Sequence, residues 1–196
     1  MLTNKEIAQN AEAYISKLTC YLKGTWGQYL TQAVYNAKCN QYPDNKKYKN
    51  EKYVGTDVYP FDCVCFVKNL LANGTVDHRI TYEEMCNTPL GDCTTQKFYD
   101  SLYDCLKKGD EIPAGYGISN GKHVALTLGG NKWIDCNYTN YQNGLAIHYS
   151  NPIDAGYRVG KIKGVVYEND EPVIDTERQI LTNFCNWLID NYLSNK

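Results

Sequence analysis

The chain has 196 residues, a formal net charge of −2, and 43% hydrophobic against 21% charged residues, enough for one domain with a sizeable core and a short appendage. It has no Lys/Arg-rich run, so the electrostatic footprint of a nucleic-acid binder is missing. Nor does any stretch approach the ~18 consecutive apolar residues of a membrane span.

Residues 3–22 predict a first helix. Ala8, Ala11, Ile15, Leu18 and Leu22 recur at three- and four-residue steps, and Thr3 with Glu6 forms a capping box. The same N-terminal segment has no apolar h-region, so no secretory signal is expected. GTWGQ (24–28) ends the helix, and Leu30, Ala33, Val34 and Ala37 suggest a second over 28–39. The polar, tyrosine-rich 39–57 segment, with Pro43 and Gly55, reads as a surface excursion.

FDCVCFVKNL (61–70) opens a third helix, with Cys63, Val67, Leu70 and Leu71 on one face and Asn73-Gly74 as its stop. Short helices are expected over 79–108, including one with Phe98, Leu102, Cys105 and Leu106 on a stripe. From about residue 115 the period changes. HVALTLGG, KWIDCNY, GLAIHYS and YRVGKIKGVVYE are short segments between tight turns, most simply an antiparallel meander. Helices first and strands later give an α+β fold class. That main domain is expected over 1–168. NDEPVIDTERQ (169–179) reads as an acidic linker. A C-terminal amphipathic helix follows, with Ile180, Leu181, Phe184, Trp187 and Leu188 on one face. It either docks on the main body or offers a surface for self-association or cell-wall contact.

Nine cysteines without a CxxC are an odd set for a disulfide framework, and they read as thiols made in a reducing compartment, mostly core filler. Cys63 and Cys65 lie close, but Cys86 and Cys93 lack the spacing of a second zinc knuckle, and His78 and His148 stand alone. No metal site or cofactor is expected.

A cysteine acts as a nucleophile when ionised, and a helix N-terminus favours the thiolate. Pro60 and Asp62 precede the helix, Asp62 as its N-cap, which puts Cys63 in the first turn and makes it a better candidate than Cys65. A base and its orienting partner are also needed. His123 opens the strand HVALTLGG, and Asp135 follows twelve residues later across the turn GGNK. A hairpin of 123–128 with 132–137 sets the two side by side, so that Asp135 accepts the second imidazole N–H. His148 is a histidine that a strand simply displays.

These residues resemble the NlpC-type cell-wall cysteine peptidases, a papain-like family. Asp62-Cys63-Val64-Cys65-Phe66-Val67 is similar to the family's D-C-[S/V]-G-[L/F]-[V/I] block, and His123–Gly129 to its histidine strand. YLKGTWGQYLT (21–31) and LKKGDEIP (106–113) resemble further family segments, the former from the clostridial and phage branch. The resemblance covers roughly residues 8–168. It departs at Cys65, where the family has glycine, at Lys23, where it has tryptophan, and at Asp135, where an acid is less usual than His, Asn or Gln.

The resemblance implies a papain-like fold and a Cys63-His123-Asp135 mechanism that cleaves an amide of the peptidoglycan stem peptide, commonly the γ-D-glutamyl bond to the diamino acid. Tyr21 matches the family's active-site tyrosine, which implies help to the substrate carbonyl or oxyanion. Bacterial peptidoglycan is the implied partner. A phage endolysin or tail-associated lysin, made in the host cytoplasm and acting on the wall, fits the missing signal. The alternatives are an N-acetylmuramoyl-L-alanine amidase on the same scaffold and a catalytically inactive wall-binding or structural phage protein.

Overall fold

Thr3 starts the first helix as the capping box requires. Its hydroxyl accepts from the Glu6 amide at 3.2 Å, Glu6 Oε2 accepts from the Thr3 amide at 2.8 Å, and α1 (Asn4–Ala13) follows. The computed structural model describes residues 2–139 and 141–167. Helix α1 does not reach residue 22. It tightens into a 3-10 turn (Tyr14–Ser16), and Thr19–Tyr21 form β1. β1 pairs in parallel with β2 (Tyr59–Phe61), Cys20 opposite Pro60, so a partner forty residues away overrides the local helical spacing. Leu18 is left 50% exposed, while Cys20 and Leu22 enter a separate core with Leu30, Tyr35, Cys39 and Val58.

α2 (Gln32–Gln41) begins four residues later than expected, where the Thr31 hydroxyl accepts from the Val34 amide at 3.2 Å. The 39–57 excursion is pegged inward by two buried asparagines. Asn45 Nδ2 donates to the carbonyls of Lys23 and Lys38, at 3.2 and 2.9 Å, and Asn50 Nδ2 donates to that of Tyr21 at 2.6 Å. These bonds satisfy backbone groups that the loop would otherwise strand.

α3 (Cys63–Leu71) buries Val64, Phe66, Val67 and Leu70, and ends where Asn73 takes a positive φ of 60° before Gly74. α4 (Tyr82–Cys86) and α5 (Thr95–Ser101) follow. The stripe expected to run on to Leu106 breaks after Ser101. There the backbone leaves the helix and bonds across to the last strand region, Tyr103 N–H to the Lys161 carbonyl and Leu106 N–H to that of Val159.

Five antiparallel strands form the main sheet: β3 (Ala114–Ser119), β4 (Val124–Gly129), β5 (Lys132–Tyr138), β6 (Asn143–Tyr149) and β7 (Arg158–Gly160). Their order is β6-β5-β4-β3-β7. Three of the four expected strands, β4, β5 and β6, make the meander, which β3 extends, whereas β7, expected to follow β6, returns to the opposite edge beside β3. β3 is hidden in the glycine-rich sequence before His123. Gly115 has φ +77°, and a Cβ there would stand 2.1 Å from the Asn4 carbonyl oxygen, so the start of α1 can lie against the strand only over glycine. Helices α1 and α3 pack on β3, β4 and β5. Between them Tyr14 meets Tyr59, Phe61 and Phe66 edge-on at 5.4 to 6.1 Å.

The chain is α+β. It divides into compact units Met1–Val165 and Val166–Lys196. The acidic linker and C-terminal helix expected over 169–196 lie outside the described residues. The eight described cysteines are free, and Cys20, Cys39, Cys63 and Cys136 are buried. Among the described residues no helix is long and apolar enough to cross a membrane.

Candidate active site

Asp62 holds the start of α3 from both sides. Oδ1 accepts from the Cys65 amide at 2.7 Å as the N-cap bond, and Oδ2 accepts from the Gly24 amide at 2.8 Å. The second bond ties the GTWGQ turn to the helix and brings Tyr21 and the first turn of α3 to one cleft. Burial pushes the Asp62 carboxyl upward, against those two N–H donors.

Cys63 and Cys65 part at this helix end. Cys63, 5% exposed, faces the sheet, where the Val124 N–H and its own neighbour Val64 N–H act on its sulfur. Cys65 faces the cleft, within the fields of Asp62 and Lys68. The helix-terminus expectation of a ready thiolate is not met in the resting protein. Burial pushes the Cys63 thiol up to about 12 and the Asp62 charge adds to the rise, while the two backbone N–H groups only partly offset it.

His123 sits at the foot of β4 in a turn fixed by its own side chains. Asn120 Oδ1 accepts from the Lys122 and His123 amides at 3.0 and 2.9 Å, and Ser119 Oγ donates to the His123 carbonyl at 2.9 Å. The hairpin forms as the spacing suggests, with Ala125 opposite Asp135. His123 Nε2 lies 2.6 Å from Asp135 Oδ2. Asp135 is 2% exposed, and burial alone would raise its carboxyl. Hydrogen bonds from His123, His148 and Gln142 outweigh that and bring it down to about 2. A carboxylate can only accept, so each imidazole donates through Nε2, which leaves Nδ1 of His123 as the nitrogen free to exchange a proton.

His148 and Gln142 are further partners of Asp135, which sequence reasoning missed. His148 Nε2 lies 2.8 Å from Asp135 Oδ1, and its ring stacks on Trp133 at 4.0 Å. Gln142 Nε2 donates to the same oxygen at 2.7 Å and to the Gly144 carbonyl at 3.0 Å. The signal was the β5–β6 register, which pairs Trp133 with His148 and sets His148 diagonally across from Asp135.

Tyr21 ends β1 beside this network. Its amide donates to Asn143 Oδ1 at 3.0 Å, its carbonyl accepts from Asn50, and Asn143 Nδ2 donates to Asn50 Oδ1 at 2.8 Å. Burial, then the charges of Cys63 and Asp62, hold its hydroxyl far above the ordinary range, so it is a neutral phenol. Tyr21, Asp62, Cys63 and Cys65 line a cleft of about 500 Å³ walled by Trp26, Tyr42 and Tyr82. His123 and Asp135 are not part of its lining and belong to the sheet side of Cys63. Among the described residues no group of three or more His, Cys, Asp or Glu side chains is placed to hold a metal ion.

The arrangement sets a helix-borne thiol against the first amide of β4, one residue after an imidazole that is anchored on a buried carboxylate. Compared with protein-family models, with curated proteins and with solved structures, the chain finds no match.

Proposed function

We propose that the protein is a papain-like cysteine hydrolase that cleaves an amide bond in the peptidoglycan stem peptide, the γ-D-glutamyl bond to the diamino acid. The observation that carries the chemistry is the 2.6 Å contact of His123 Nε2 with buried Asp135, on the strand whose first amide, Val124 N–H, acts on the Cys63 sulfur. The substrate class rests on the Asp62–Val67 and His123–Gly129 motifs and their order in the chain.

On this reading the Cys63 thiol gives its proton to His123 Nδ1 as Sγ attacks the amide carbonyl carbon. The resting thiol is neutral, so ionisation is coupled to attack and the imidazolium is stabilised by Asp135. The Cys63 amide, in the first turn of α3, supports the oxyanion, and the Tyr21 phenol donates to the same region. The leaving amine takes the His123 proton and a thioester remains. Water then gives a proton to His123, its oxygen joins the acyl carbon, and the carboxylate product and Cys63 thiol are released. An enzyme of this kind acts as a phage endolysin or tail-associated lysin on the bacterial wall.

Digestion of purified wall, with mass spectrometry of the fragments, tests the reading. Stem peptides cut after γ-D-glutamate are expected, and Cys63→Ala abolishes them. Release of free lactyl-linked muramic acid would instead make the protein an N-acetylmuramoyl-L-alanine amidase. One observation favours an inactive wall-binding protein, the burial that pushes Cys63 up to about 12. Wall that binds the protein but yields no fragment would establish that alternative.

A further inference from the structure

Lys68 stands on the second turn of α3, three residues after Cys65 and five after Cys63. It is 2% exposed and the only buried lysine among the described residues. A buried ammonium ordinarily has an ion partner, because losing its hydration is costly. Among the described residues the Lys68 side chain forms no hydrogen bond or ion pair, yet it lines the same cleft as Cys63. Its charge acts on Asp62, Cys65 and Cys93, all of them on the cleft wall. Asp62 and Asp92 are the acids on this wall, and each Asp62 oxygen already accepts a backbone N–H, from Cys65 and from Gly24.

Cations outnumber acids on the rest of the wall. Lys23, which also lies 3.4 Å from Asp44, Lys38 and Lys122 join Lys68 there against Asp62 and Asp92, in a chain whose formal net charge is −2. The cleft is thus a local cationic site in an acidic protein, which suits an anionic ligand. Lys68 lies about 7.5 Å along the helix axis from Cys63, at 1.5 Å of rise per residue. A γ-linked glutamyl residue carries its free α-carboxylate three carbons from the scissile carbonyl. Cys63 and Lys68 line one cleft, so with that carbonyl at Cys63 the carboxylate can turn toward Lys68.

We infer that Lys68 is a specificity-determining residue that binds a free carboxylate of the substrate, next to the scissile amide, and so selects acidic peptides over their amidated forms. The inference rests on the reading of Cys63 as the nucleophile, and a binding measurement without turnover separates the two.

The probe is the tripeptide L-Ala–γ-D-Glu–diamino acid, with the glutamyl α-carboxylate either free or amidated, titrated calorimetrically into the Cys63→Ala protein. The free acid is expected to bind at least about 10-fold more tightly than the amide, the scale of one charge-assisted contact in a desolvated site. Adding Lys68→Met, an unbranched apolar replacement suited to the buried stem, should bring the two peptides within about 2-fold of each other. Adding Lys68→Arg instead should keep the preference for the acid. Matching thermal unfolding curves for the three proteins check that the fold is intact. A preference that survives Lys68→Met, an equal affinity for both peptides before that change, or no binding of the acid overturns the inference. If the Lys68-dependent preference holds while the unmodified protein never cuts the tripeptide, the carboxylate site stands and the peptidase reading falls. If the tripeptide is cut, and Lys68→Met leaves kcat/KM for acid and amide unchanged, the peptidase stands and the site falls.

Discussion

Two aspartates flank Cys63, Asp135 buried and Asp62 half-buried, and they resolve the loss of solvent in opposite ways. Asp135, on the sheet, receives hydrogen bonds from two imidazoles and an amide and is held down to about 2. Asp62, at the helix end, receives two backbone N–H groups, and burial still pushes it upward. Donors able to take on positive charge make a carboxylate an electrostatic anchor, while neutral amides make it a structural cap. The sheet half of the site is a closed polar network built before any ligand arrives. The helix half keeps a protonated thiol and an unpaired lysine, both of which change state only when something binds or reacts.

The sharpest way to break this comparison is to remove the thiol or the imidazole. Cys63→Ala and His123→Ala are each expected to reduce wall hydrolysis by at least about 10⁴-fold, since groups that act as a unit fail together. Release of soluble fragments from purified wall measures the effect. Substantial activity in Cys63→Ala combined with its loss in Cys65→Gly would move the nucleophile to the other thiol.

Asp135→Asn attacks the sheet half alone. The amide can present N–H to His123 and favour the wrong tautomer, so kcat should drop about 10²–10⁴-fold with little change in KM. A stability signature accompanies it. The Asp135 carboxyl lies at about 2 in the fold against an ordinary 3.8, so its stabilising contribution is complete above pH 4 and vanishes as pH falls through 2. The gap in urea-unfolding free energy between the parent protein and Asp135→Asn should therefore narrow by about 2 kcal/mol from pH 4 to pH 2. A gap that stays constant over that range would mean that Asp135 is not held ionised by its neighbours.

His148→Ala is a milder cut. It removes one charge-assisted donor from Asp135 and the stacking on Trp133, and should cost about 1.5–3 kcal/mol of stability but only about 10-fold in kcat. His148→Gln keeps an N–H donor and should recover most of the kcat loss without restoring the stacking. Equal losses in both variants would make His148 a packing residue rather than one that positions Asp135.

The parts of this site that the sequence makes readable are local or come from hairpin spacing. The Thr3–Glu6 capping box, the Asp62 cap on α3 and the β4–β5 pairing that sets His123 against Asp135 each depend on residues within about a dozen positions. What is not readable depends on distant partners. β1 has three residues and gains its strand character from β2, so its leucine-spaced surroundings mimic a helix. β3 carries glycines because α1 crowds Gly115, and glycine weakens any strand pattern. His148 looks idle until a second hairpin places it diagonally from Asp135. The raised Cys63 thiol is a product of burial, which a helix-position rule does not contain.

The smallest expected effect is the most informative about the helix half. The Cys65 side chain is partly exposed at the cleft, on a different side of α3 from the Val124 contact of Cys63. Its amide, not its thiol, makes the cap bond to Asp62 Oδ1. Cys65→Gly therefore leaves the cap donor in place and costs only the helix penalty of glycine, about 0.5–1 kcal/mol. Removing the side chain also opens the cleft wall beside Lys68. Wall hydrolysis should be unchanged or up to about 3-fold higher, with the gain in KM rather than kcat, because substrate binding and not the reacting thiol is altered. A loss of kcat at unchanged KM would show that the Cys65 side chain supports the Cys63 geometry, and the helix half would then be as closely interlocked as the sheet.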